Sequence, residues 1–81
     1  MSEQVEPQPS ERQLALLRVV HTHFLEQGYP PSRREIAQKL GVASINTVQG
    51  MVNTLIGKGL LLKKVKISRS LLLTEAGRGF L

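Results

Sequence analysis

Two stretches decide the fold: Tyr29-Pro30-Pro31-Ser32-Arg33-Arg34-Glu35-Ile36-Ala37, and then Ser44-Ile45-Asn46-Thr47-Val48. Ser32 and Glu35 are spaced as a capping box, in which the hydroxyl accepts a first-turn N–H and the carboxylate reaches back to the cap. A helix therefore starts at Arg33. Gly41-Val42-Ala43 interrupts it, and Ser44 supplies the cap of a second helix. Two short helices joined by a glycine-containing turn form a helix-turn-helix.

Working outward, the same logic places the other elements. Ser10 with Gln13 is a second capping box, so helix 1 is predicted from Glu11 to Gln27. Leu14, Leu17, Val20 and Phe24 recur at helical spacing and are expected to be its buried face. Gly28 stops it, and Pro30-Pro31 keeps the connection extended. Helix 2 is predicted from Arg33 to Leu40, with Ile36, Ala37 and Leu40 inward and Gly41 in left-handed geometry at its end. Helix 3 is predicted from Ile45 to Lys58, closed by Gly59. Its core stripe is Val48, Val52 and Leu55, with Met51 and Ile56 at the margins.

After Gly59 the periodicity changes. Leu60–Ile67 and Leu71–Thr74 read as two strands around Ser68-Arg69-Ser70, and Glu75–Leu81 as a short helical turn over them. The expected fold is mainly α with a small β-hairpin (α+β): a winged helix-turn-helix of three helices plus a two-stranded wing. Residues 1–9 hold two prolines, two glutamines and two glutamates and read as a disordered tail; residues 10–81 read as one winged-helix domain.

Composition narrows the function. The 81 residues suffice for one small core, and the absence of cysteine removes disulfides and thiolate metal sites. No apolar run reaches the roughly 18 residues of a membrane span, and Met1–Ser10 lacks the apolar stretch of a signal peptide. A cytoplasmic, nucleoid-associated location is the expectation. The net charge is +5. Lys58, Lys63, Lys64, Lys66, Arg69 and Arg78 crowd the last third against a single acid, Glu75, while Glu3, Glu6 and Glu11 lie at the front. Such a balance suits a phosphate backbone, although basic surfaces also serve solubility.

Ser32, Ser44, Thr47, Gly50 and their neighbours carry a further signal. Residues 10–74, about four-fifths of the chain, resemble the N-terminal DNA-binding domains of the LexA family of bacterial SOS repressors. The resemblance runs through Arg12-Gln13, His23, Gly28–Ala37, Leu40-Gly41, Ser44, Thr47-Val48, Gly50, Leu55, Lys58-Gly59-Leu60 and Ser68-Arg69. Its most specific part is the Gly-x-Pro-Pro-Ser-x-x-Glu-Ile-Ala run. It implies a winged helix that binds operator DNA and represses transcription, with Ser44, Asn46, Thr47, Gln49 and Gly50 on the base-reading helix. Gln49-Gly50 is similar to the family variant with glycine there, not the one with paired glutamates. Met51 stands where histidine is common, and Ala43 and Ile45 also depart from frequent choices. The resemblance therefore implies no particular operator sequence. Ala76-Gly77 is similar to the family's cleavage pair, but no counterpart of its Ser/Lys self-cleaving, dimerising domain occurs in the 81 residues. The expectation is an excised domain or a small stand-alone regulator.

The residues themselves support the same chemistry. Asn46 and Gln49 can each pair bidentately with adenine N6 and N7, and Thr47 can meet a thymine methyl or a phosphate. Asn53 extends this face. Polar faces are ordinary on exposed helices, but this one has short amides and hydroxyls and no acid. Gly50 sits mid-helix, where glycine costs about 1 kcal/mol relative to alanine, and allows close backbone approach to a groove. Ser32, Arg33 and Arg34 cluster at a helix N-terminus, which favours anions, and Lys39 follows as a further backbone candidate. Lys63, Lys64, Lys66 and Arg69 could track phosphates or enter a narrow minor groove; lysine on an edge strand also prevents aggregation.

His21 and His23 are two apart, which is not a metal-binding spacing on a helix. His23 reads as a packed or helix-surface residue. No carboxylate pair, Cys–His pair or phosphate loop appears, and Ser68 and Ser70 have no evident base, so no enzyme, cofactor or small-molecule ligand is expected. The expected partner is double-stranded DNA, with a homodimer on a palindromic site as one arrangement; no membrane role is expected. The alternative function is a winged-helix protein–protein interaction module.

Overall fold

Capping sets the element boundaries. In the computed structural model, which describes residues 9–63 and 71–81, α1 spans Glu11–Gln27, α2 Arg33–Leu40 and α3 Ile45–Gly57. Ser10 and Ser32 both form complete capping boxes, with Gln13 and Glu35 respectively. Gly28, Gly41 and Gly59 all adopt positive φ, the geometry that lets a chain leave a helix without a Cβ clash. After α3, the Gly59 N–H donates to the Ile56 carbonyl and the Leu60 N–H to the Leu55 carbonyl, both at 2.9 Å. That is a Schellman motif, and it turns the chain sharply into the first strand. Pro31 and Ile36 are both fully buried on either side of the Ser32 cap, the positions of a hydrophobic staple.

β1 (Leu61–Lys63) and β2 (Leu71–Leu73) pair antiparallel, with Leu61 opposite Leu73 and Lys63 opposite Leu71. α4 (Glu75–Arg78) follows. Three helices with a two-stranded antiparallel hairpin match the expected winged helix. The expected tail up to Gln8, the rest of the predicted hairpin, and the candidates Lys64, Lys66 and Arg69 lie outside the described residues.

The core joins Leu16, Leu17 and Val20 of α1 to Ile36 and Ala37 of α2 and to Val48, Val52 and Leu55 of α3. Leu60, Leu61 and Leu71 close it from the hairpin side. The α3 stripe is the expected one; the α1 stripe is so at Leu17 and Val20 but not at Leu14 and Phe24. Leu16 and His23 are buried, Leu14 is only partly buried, and Phe24 is 42% exposed. Apolar residues occupy so much of the α1 circumference that spacing alone fits two faces. Tertiary packing selects the one carrying Leu16, Val20 and His23. Phe24 instead flanks a groove beside Val20, Leu25 and Leu71. His23, 7% exposed, is packed rather than on the helix surface, edge-on to Tyr29.

Two contacts lock the periphery. The Lys58 ammonium donates to Gln13 Oε1 at 3.0 Å, tying the end of α3 to the first turn of α1. The Thr74 hydroxyl donates to the Gly59 carbonyl at 2.7 Å and accepts the Gly77 N–H at 3.0 Å. Gly77 is buried against the Leu60 backbone, where an added Cβ would collide with the carbonyl oxygen.

Candidate nucleic-acid interface

The turn Gly41-Val42-Ala43-Ser44 launches α3. The Gly41 and Val42 N–H groups return to the Gln38 and Ala37 carbonyls, a second Schellman closure. Ser44 Oγ then accepts the Asn46 N–H at 3.1 Å. With Val48, Val52 and Leu55 sealed in the core, the opposite side of α3 faces solvent. Asn46, Thr47, Gly50, Asn53 and Thr54 are all exposed, at the three- and four-residue steps that align side chains along one face. Thr54 escaped the sequence reading, although it lies four residues beyond Gly50. Its hydroxyl donates to the Gly50 carbonyl at 3.0 Å.

From Ile45 to Gly57, α3 has no charged side chain. Cations stand on the neighbouring elements, and Arg33 bonds across to Gln49 of α3. Arg33 and Arg34 stand at the start of α2, and Lys63 is exposed on β1. A neutral amide-and-hydroxyl face with cations on neighbouring elements suits a groove floor flanked by phosphates. At Gly50 nothing lies within 4 Å of the position a Cβ would take, so the exposed face has a flat centre.

Gln49 and Arg33 are joined across the motif. Arg33 Nε–H donates to Gln49 Oε1 at 3.0 Å, and Gln49 Nε2–H donates to Asn53 Oδ1 at 2.8 Å. Partial burial lowers the Arg33 pKa from its ordinary value. Ser32 is half-buried, and its hydroxyl is committed to the Glu35 N–H. Arg34 is exposed. Lys39 is exposed but lies about 120° around α2 from Arg33, given 3.6 residues per turn. It borders pockets with Val19, Thr22 and His23 of α1, so the structure does not bring it to the α3 face.

Among the described residues no group of three or more His, Cys, Asp or Glu side chains could hold a metal ion. No helix there is long and apolar enough to cross a membrane.

An exposed helix following a tight turn, with a two-stranded antiparallel sheet after it, defines a winged helix-turn-helix domain. The family model for the LexA DNA binding domain matches residues 8–70, and the chain belongs to that family. Among its curated relatives, the LexA repressor of Limosilactobacillus fermentum is 42% identical over 66 residues, covering 82% of this chain and 32% of that protein. The LexA repressors of Limosilactobacillus reuteri and Oenococcus oeni are 38% and 39% identical over the same length, covering 82% of this chain and 32% and 31% of those proteins. The chain thus spans about a third of the length of the curated relatives it matches.

Proposed function

We propose that this chain is a sequence-specific double-stranded DNA-binding transcriptional regulator that represses by occupying operator DNA. The carrying observation is the uncharged, solvent-facing side of α3, capped by Ser44 and bonded at Gln49 by Arg33. In this reading α3 enters the major groove, and Asn46, Thr47, Gln49 and Asn53 read base edges over the flat centre at Gly50. Ser32 and Arg34 contact phosphates beside it, at the helix start they share with Arg33. Lys63, with Lys64, Lys66 and Arg69, supplies a basic wing on the backbone or minor groove. Residues 10–81 act as one domain.

A single recognition helix covers about half a turn of groove, so tight binding calls for two copies on a palindrome. Repression requires only occupancy of a promoter, whereas activation requires a polymerase contact as well. Binding selection from random duplex DNA, followed by anisotropy titration of the winning sequence, tests the reading. A palindromic consensus is the expected result. Equal affinity for all duplexes would remove it and favour an interaction module.

A further inference from the structure

We propose that Arg33 is a positioning residue for base recognition, holding the Gln49 amide, and through it the Asn53 amide, in one orientation. The inference rests on the major-groove reading of α3.

The argument is one of donors and acceptors. A guanidinium has only donors, so the Gln49 atom facing Arg33 Nε at 3.0 Å is the carbonyl oxygen. The Gln49 nitrogen is then turned toward Asn53, where it meets Oδ1 at 2.8 Å. Asn53 must therefore present its oxygen inward and its NH2 outward. One arginine on α2 thus fixes the polarity of two amides on α3.

That polarity matters because amides read bases by the order of donor and acceptor. Adenine shows N7 acceptor then N6 donor; guanine shows two acceptors. After its two internal bonds, Gln49 keeps one N–H and one lone pair on Oε1. Held by Arg33, these keep a single order. An amide free to turn over accepts either order, and discrimination between base pairs falls. A bond across the helix-turn-helix also pays the rotamer entropy of Gln49 before DNA arrives.

A plain phosphate contact at Arg33 makes a different prediction. It would strengthen every duplex alike and add to the salt dependence. The test uses the whole chain, the duplex recovered by selection from random DNA, and the set of its single base-pair variants. Gln49→Ala identifies the base pair that Gln49 reads. Arg33→Met keeps an aliphatic stem and removes the donors. We expect Arg33→Met to reduce discrimination at that one base pair by about tenfold, the scale of one amide–base pairing. It should have no such effect in the Gln49→Ala background. In the free protein, Arg33→Met should shift the side-chain NH2 resonances of Gln49 and Asn53 while leaving core amide resonances in place.

Uniform loss on all duplexes with discrimination intact and a flatter salt slope would overturn the inference and leave the DNA-binding reading standing. If the wild-type chain selects no sequence at all, both fall together.

Discussion

Gly50 is the residue at which stability and function pull apart. It lies inside α3, its added Cβ would meet nothing within 4 Å, and its φ is not positive. Nothing in the free protein requires glycine there. Gly50→Ala should therefore stabilise the fold by about 1 kcal/mol through helix propensity. If the α3 backbone approaches the groove floor, the same methyl group should weaken operator binding by about 1 kcal/mol or more, roughly fivefold. Thermal melts and anisotropy titrations would show the opposed signs. Gly50→Glu should abolish binding with the fold retained, since it adds both bulk and a negative charge to the contact. Undiminished affinity in both variants would remove the close-approach reading. Asn46→Ala should cost about 1–3 kcal/mol on the specific site and relax preference at one base pair. An equal loss on random DNA would reassign Asn46 to a backbone contact. At this scale the sequence showed which residues are polar and share a face, because that follows from local spacing. It did not show that Arg33 holds Gln49, because the partners are sixteen positions apart and meet only when α2 packs on α3.

Elements were legible where local chemistry sets them. Ser10, Ser32 and Ser44 start helices, and Gly28, Gly41 and Gly59 mark where they end; each signal lies within four residues of the boundary it fixes. The buried face of α1 was less legible. Phe24 fits the helical period as well as His23 does, and only the neighbouring elements decide between them. The same holds for α4. Ala76-Gly77 is similar to the family's cleavage pair, whereas the fold gives Gly77 a packing reason: it lies against the Leu60 backbone. Gly77→Ala should destabilise by about 1–3 kcal/mol, as overpacking does, because a backbone carbonyl cannot rotate away as a side chain can. Urea denaturation checks this through the midpoint. An unchanged midpoint would mean that α4 detaches at little cost and contributes little to the fold.

For the molecule as a whole, the decisive quantity is where its charge lies. α3 is neutral, so on the proposed reading nearly all electrostatic attraction to DNA comes from residues outside it. The net charge is +5, and Lys63, Lys64, Lys66 and Arg69 fall within seven residues of one another. Each phosphate neutralised releases about one counterion, and the slope of log affinity against log salt steepens by about 0.9 per contact. Replacing Lys66 and Arg69 with alanine should therefore weaken operator and random duplexes alike and reduce that slope by up to about 1.8. The preferred sequence should stay the same, unless Arg69 enters a narrow A·T-rich minor groove, in which case preference would relax at the flank rather than under α3. Anisotropy titrations at several salt concentrations, on operator and on random DNA, separate these outcomes. An unchanged slope would confine the DNA contact to α2 and α3 and leave the basic hairpin as a charged edge that keeps one copy from pairing with the next.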